Sequence, residues 1–354
     1  MKRILALLLA VLLVTVACTP AAKSGEDIIG GADPNATKIK VGLVTDTGGI
    51  DDKSFNQGTW EGIQAYNVGA ELPADSIKFL QSTSDADYIP NLTTLAEDGM
   101  DLVIAPGFLF EDAIKQFSTD FPEQKILFID AVVEAPNVLN AVFAEHEGSF
   151  LVGVAAALKA KESGKDKVGF IGGADFELIQ KFEAGFEQGV KAVDENMDIT
   201  IQYATGFDKP EEGQTLASKM YDDGVYVIYH AAGGTGNGAI KEAKDRRENE
   251  EDVWIIGVDK DQYEDGIYSG GDVESAILTS MVKRVDLAAY RAAQAVADGT
   301  FKDGIYEYSL KDDGVGIPAE NPNLTDDWVK TINDYKAKIA GGEIKVDPVP
   351  SRVK

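Results

Sequence analysis

From Ile39 onward, short runs rich in β-branched residues alternate with stretches of helical spacing, and the alternation then begins again. The first set of predicted strands is Lys40–Thr45, Ile77–Gln81, Leu102–Ala105, Ile126–Ile129 and Val138–Phe143. Between them Gly58–Val68, Pro90–Glu97 and Glu111–Phe117 have helical spacing; Trp60, Ile63 and Tyr66 share one face. The second set is Val168–Ile171, Ile199–Ala204, Tyr226–His230 and Trp254–Val258, with helices predicted near Phe182–Val193, Gln214–Tyr221 and Ala239–Glu248. Strands joined through helices form parallel sheets covered on both faces. The chain has 354 residues, 44% of them hydrophobic, enough for two ordinary cores. Two successive sets imply two Rossmann-like α/β lobes, not one wide sheet.

No long linker separates the sets. The junction near Ala141–Gly148 carries Glu145-His146-Glu147-Gly148, so the lobes should be closely apposed. A strand at Ala276–Thr279, a helix from about Lys283 to Ala297, a strand near Tyr306–Leu310 and a helix from Thr325 to Ile339 follow the second set. These additions imply that the chain crosses between lobes more than once, through a multi-strand hinge. Residues 39–143 are expected to form the first lobe, with 277–308 returning to it. Residues 144–276 form the second, with 309–354 returning. Such a plan suits a hinged binding protein, and no basic helix-turn-helix stretch precedes it to suggest a repressor.

The amino terminus reads as an export signal. Met1-Lys2-Arg3 is basic, Ile4 to Val16 is apolar apart from Thr15, and Thr15-Val16-Ala17-Cys18 follows. The run is short for a membrane span and right for a signal peptide. Cys18 stands where a bacterial lipoprotein is cleaved and acylated, although Thr15 replaces the usual leucine; residues 1–18 are read as that signal. The alternative is an ordinary cleaved signal with a chance cysteine. Residues 19–38, rich in Ala, Gly, Pro, Asn and Asp, read as a flexible tether. The mature chain is therefore expected outside the cytoplasm, anchored to a bacterial membrane by lipid. A formal net charge of -27 would repel a phosphate backbone, so nucleic acid is not an expected partner. Two histidines and one cysteine do not make a usual zinc site, and no metal or other cofactor is implied.

In open parallel sheets, ligands bind beyond the carboxyl ends of the strands. Asp46, Gly107-Phe108 and Asp130 follow strands of the first set. Gly172-Gly173, Gly206-Phe207, Gly233-Gly234-Thr235-Gly236 and Asp259 follow those of the second. Carboxylates, glycines and phenylalanines in one cleft suit an uncharged ligand with hydroxyls and a flat face. No Ser-His-Asp or Cys-His set joins them, so the site is equipped to hold and not to cleave; no enzyme is expected.

The stretch Val44-Thr45-Asp46-Thr47-Gly48-Gly49-Ile50-Asp51-Asp52-Lys53-Ser54-Phe55-Asn56-Gln57-Gly58 resembles the opening signature of the basic membrane protein family. Those are PnrA-like nucleoside-binding lipoproteins that serve ABC transporters and have the type I periplasmic-binding-protein fold. Ala231-Ala232-Gly233-Gly234-Thr235-Gly236-Asn237-Gly238, Gly257-Val258-Asp259-Lys260-Asp261-Gln262 and Ser280-Met281-Val282-Lys283-Arg284 are similar to its later signatures, in the same order. The resemblance covers the chain from about Lys40 to the end. It implies capture of a purine nucleoside, delivery to a permease, and a monomer. Phe55 and Phe207 would stack on the two faces of the base, so that binding and lobe closure are coupled. Asp46 and Asn56 would meet its polar edge; a carboxylate only accepts, which suits the ring N–H of inosine or guanosine. Asp259 and Lys283 would hold the ribose hydroxyls, with Gly107 and Asp130 lining the same cleft and Gly233 and Gly234 approaching the sugar.

Blander readings stand beside these. Either phenylalanine could be core, Asp46 could cap the following helix, Asp259 and Lys283 could form a salt bridge that ties the lobes, and Asp130 could be a solvated strand end. Gly234-Thr235-Gly236-Asn237-Gly238-Ala239 also fits the dinucleotide pattern, with Asp259 about twenty residues on. Its place in the third unit of a lobe, the acidity of the chain and its export weigh against that use. The remaining alternatives are a sugar or autoinducer receptor of the same fold and an exported nucleoside hydrolase using Asp46 or Asp51 as base.

Overall fold

The computed structural model describes residues 36–268 and 274–354. The expected signal peptide, Cys18 and the tether up to residue 35 lie outside the described residues. The first lobe opens with β1 (Val41–Thr45), α1 (Phe55–Gly69), β2 (Ile77–Gln81), α2 (Tyr88–Glu97), β3 (Leu102–Pro106), α3 (Glu111–Asp120), β4 (Lys125–Ile129) and β5 (Val138–Phe143). The second follows with α4 (Glu145–Glu162), β6 (Lys167–Gly172), α5 (Glu177–Val193), β7 (Asp198–Tyr203), α6 (Pro210–Asp222), β8 (Val227–Ala231), α7 (Gly233–Glu248) and β9 (Trp254–Asp259). A two-residue pair, β10 (Ile267–Tyr268) and β11 (Glu274–Ser275), precedes β12 (Ile277–Lys283), α8 (Val285–Ala297), β13 (Gly304–Tyr308), β14 (Val315–Gly316) and α9 (Asp326–Ala340).

The two sheets repeat one plan. The first runs β13-β5-β4-β3-β1-β2 with every pair parallel. The second runs β14-β12-β9-β8-β6-β7, parallel except for the β12–β14 pair. Central strands such as β1, β3 and β8 are buried along their whole length, as sheets covered by helices on both faces require. In each sheet the connections leave in opposite directions beside the first strand, opening a crevice between β1 and β3 and another between β6 and β8. The chain is thus a type I periplasmic-binding-protein fold of two Rossmann-like lobes.

Three segments cross between the lobes: residues 143–145, 283–285 and 308–315. They are tied together by Ala144 N–H to Tyr308 O at 2.8 Å, Arg284 N–H to Gly314 O at 2.9 Å and Leu310 N–H to Glu147 Oε2 at 3.0 Å. The return to the first lobe differs from expectation. Residues 277–283 are β12, paired with β9 in the second sheet; α8, packed on α1, is where the first lobe resumes. The polar Lys283 ends the strand instead of opening a helix.

One helix escaped the reading of spacing altogether. α4 is apolar nearly all round, buried from Gly148 to Ala157, because it packs against α5, α9 and the second sheet together. A helix without a polar face shows no 3.6-residue periodicity to detect. No helix among the described residues, α4 included, is long and apolar enough to cross a membrane.

Candidate functional site

All ten residues singled out in the sequence come to the wall of one cavity between the lobes: Asp46, Phe55, Asn56, Gly107 and Asp130 from the first, and Phe207, Gly233, Gly234, Asp259 and Lys283 from the second. The space between these walls is about 620 Å³, counted out to solvent at its mouth. Phe108, Leu178, Ile179 and Phe182 are among the apolar residues that also line it. Spacing missed the last three: Leu178 and Ile179 precede the helix expected from Phe182, and Phe182 itself reads as part of an ordinary core stripe.

The loop after β1 is built to aim Asp46. Asn56 Nδ2 donates to Asp46 Oδ1 at 2.8 Å, and Gly48 N–H donates to the same oxygen at 2.9 Å. No donor among the described residues reaches Asp46 Oδ2, which faces Gly107. The helix cap falls to Asp52 instead. Its carboxylate accepts from the N–H groups of Ser54, Asn56 and Gln57 at 3.0, 2.8 and 3.1 Å, satisfying the amino terminus of α1. Asn56 Nδ2 also donates to Asp52 at 3.0 Å, so both its amide protons are engaged within the protein. What Asn56 can offer a ligand is its oxygen alone; its main work is to orient Asp46.

Phe55 and Phe207 enter from opposite lobes and are only partly buried. Phe207 lies over Gly173, where a Cβ would come within 2.4 Å of the ring. At the mouth Phe108 meets Phe176 at 5.2 Å and Phe207 at 6.2 Å between ring centroids, bridging the lobes. The glycine-rich run serves packing more than a phosphate. A Cβ at Gly236 would strike His230 at 2.1 Å and one at Gly238 would strike Pro210 O at 1.7 Å. Only Gly233 and Gly234, in the first turn of α7, line the cavity. α7 accordingly begins six residues before the expected Ala239, held by Thr235 N–H to Phe207 O at 2.9 Å.

Asp130 and Asp259 occupy equivalent places, at the ends of the fourth strand of each lobe, and both have left-handed backbones, φ 75° and 68°. That conformation is uncommon outside glycine, though Asp tolerates it better than most. Ser54 Oγ donates across the cleft to Asp259 Oδ2. Lys283, fully buried, places Nζ 2.6 Å from Asp130 and 3.1 Å from Glu145. The same ammonium lies 5.2 Å from the Phe55 ring centroid. Further cross-lobe bonds run from Asn237 Nδ2 to Asp52 O at 2.9 Å, Gln262 Nε2 to Lys53 O at 3.1 Å and Lys260 Nζ to Glu61 at 2.6 Å. The lobes are therefore closed on one another.

One ammonium cannot neutralise every carboxylate around it. Burial pushes Asp46 up to about 6, against hydrogen bonds from Asn56 and Gly48. Burial likewise raises Asp259 to about 7, although Lys283 and Ser54 pull it down. Asp130 is raised by burial too, while Lys283, despite its own burial, is held charged by Asp130, Glu145 and Asp259. The spare protons thus settle on the acids. An unfolded Asp titrates near ~3.9. From there up to about 7 the folded chain binds protons that the unfolded chain has released, so stability falls as pH rises through that window. Burial holds His230 down to about 4 and lowers His146 as well, so below ~6.5 the unfolded histidines take up protons that the folded ones refuse and work the other way. The carboxylates' contribution, on the order of 1 kcal/mol each between roughly pH 5.5 and roughly pH 8, is therefore read by comparing wild type with a variant that lacks the carboxylate. The acidic surface acts in the carboxylates' direction, so the test is Asp259→Asn, which should make the slope of melting temperature against pH less negative than that of wild type. An unchanged slope would mean that Asp259 keeps its charge throughout.

Comparison with known proteins brings out one family. The family described as ABC transporter substrate-binding protein, PnrA-like, matches residues 39–348. The chain is 40% identical to the CD4+ T-cell-stimulating antigen of Listeria innocua, over 99% of each chain. It is 35% identical to the ABC transporter nucleoside-binding protein BmpA of Lactococcus lactis, over 98% of this chain and 99% of that one. Among solved structures, an ABC transporter solute-binding protein from Aeropyrum pernix superposes with a TM-score of 0.76 at 27% identity, covering 87% of this chain and 92% of the other.

Proposed function

The chain belongs to the PnrA-like family of ABC transporter substrate-binding proteins, and from that premise we propose that its cleft captures a purine nucleoside intact. Proteins of this family are extracytoplasmic, bind small molecules and work with a permease. The observation that carries the finer reading is the pairing of two partly exposed phenylalanines from opposite lobes with an acceptor, Asp46 Oδ2, that the protein leaves without a donor. In this reading a flat base lies between the rings and its ring N–H meets the acceptor. Asp259, with one oxygen beyond the Ser54 bond, and Lys283 face the same cavity and suit ribose hydroxyls. Four carboxylates, Asp46, Asp52, Asp130 and Asp259, line it against one ammonium, which disfavours a phosphate.

Inosine is the ligand to try. A hundredfold excess over Kd stabilises a folded protein by about 2.7 kcal/mol, and the melting temperature should rise accordingly. Ribose alone should leave it unchanged; a shift with ribose and none with inosine would favour a sugar receptor. Chromatography of the incubated mixture should return inosine, and recovery of hypoxanthine with ribose would mark a hydrolase. The same reading puts the membrane anchor at Cys18. Cells fed a labelled fatty acid are expected to mark the wild-type chain and not Cys18→Ala, and label retained by the variant or absent from wild type would contradict the anchor.

A further inference from the structure

Glu145 is the deepest charge near the cleft that the proposed ligand contacts leave unused. It is the first residue of α4, fully buried, on the crossing from the first lobe to the second. Its Oε1 lies 3.1 Å from Lys283 Nζ and its Oε2 3.6 Å from Lys181 Nζ. Neither oxygen meets hydrogen-bond geometry with any partner in the structure. A buried carboxylate held by ion contacts alone is costly, and a neutral side chain of the same shape would serve packing better.

The placement of its partners suggests what the charge does. Lys283 ends β12 on the crossing back, and α4 packs on β12, so Glu145 and Lys283 belong to one rigid body. Asp130 ends β4 in the other lobe and reaches the same ammonium across the cleft. Parting the lobes would separate Asp130 from Lys283 and leave Glu145 in place. Closing them brings Asp130 toward an ammonium that already has a counter-ion, so Asp130 and Glu145 repel while both are drawn to Lys283.

We propose that Glu145 is the standing counter-ion of Lys283 and acts as a brake on closure, keeping the ligand-free lobes from locking shut until a bound solute donates hydrogen bonds to the cleft carboxylates. Glu145 is a positioning residue here, acting through Lys283 and Asp130. The inference rests on the capture reading of the same cleft but not on which solute fills it. Because only the closed form encloses the ligand, a larger closed fraction raises the apparent affinity in proportion.

The test compares ligand-free compactness, by small-angle scattering or a spin-label distance across the cleft, with inosine titration. Glu145→Gln should be more compact than wild type without ligand and bind inosine roughly fivefold more tightly. Adding Asp130→Asn to it should remove both gains. Lys181 is partly exposed at 27% of its side chain, so Lys181→Gln is a milder change than one at the fully buried Glu145 and tests the pair independently of how the core tolerates the first. It leaves Glu145 less neutralised and should shift both readouts the other way. Because Lys181 also draws Asp130, the same change made on Glu145→Gln isolates that direct pull and should open the lobes less than it does in wild type. Wild-type compactness in Glu145→Gln and Lys181→Gln alike, or an opening of Glu145→Gln, overturns the proposal. Absence of inosine binding by the wild type would fail the nucleoside reading alone, since the compactness comparison needs no ligand.

Discussion

Asp259→Ala is expected to weaken inosine binding by about two orders of magnitude, the largest effect of any single change in the cleft. A hydrogen bond to a charged group contributes about 1.5–3 kcal/mol, and this carboxylate is placed to accept from ribose hydroxyls as well as from Ser54 across the lobes. Its left-handed backbone, φ 68°, points the side chain off the end of β9 into the cavity. Alanine would lose every bond and also strain that backbone, so Asp259→Asn is the informative companion: Asn tolerates the conformation, keeps one acceptor oxygen and exchanges the other, with the charge, for an amide donor. Calorimetric titration with inosine and with hypoxanthine separates two roles. Ribose recognition predicts a much larger loss for the nucleoside than for the free base. Equal losses would assign Asp259 to fastening the lobes.

Phe55→Ala should weaken inosine binding at least tenfold while the melting temperature of the ligand-free protein barely changes. Stacking of a base on an aromatic ring is worth roughly 1–3 kcal/mol on alanine substitution. The ring is partly exposed at the first position of α1, and the cap on that helix comes from Asp52, so truncation should spare the fold. It also strips one of the aromatic faces beside Lys283. Phe55→Tyr should keep most of the affinity. Titration curves for Phe55→Ala that overlay those of wild type would remove the ring from the site.

Much of this architecture could be read from the residues because parallel strands buried on both faces announce themselves as β-branched runs. β2 and β5 fall where spacing puts them, and most other strand ends shift by one or two residues. Carboxylates and glycines just past those runs then point to the cleft without further help. What stayed hidden had no periodic signature. α4 has no polar face, so its spacing says nothing, and β10, β11 and β14 are only two residues long. The return to the first lobe lies later than spacing suggests because a charged Lys283 reads as the start of a helix; only the fold shows it ending a strand, with Asp130 and Glu145 beside its ammonium. Residue type allows Asp46 as the cap of the following helix, and only hydrogen-bond geometry gives the cap to Asp52 and leaves Asp46 facing the cavity. Such competition between near neighbours is invisible to residue type alone.

The decisive observation is a crystal structure of the protein grown with inosine. The base should lie in van der Waals contact with Phe55 on one face and Phe207 on the other, its ring N–H directed at Asp46 Oδ2. A nucleoside bound with either ring turned away, or seated outside the cleft, would contradict capture by this sandwich.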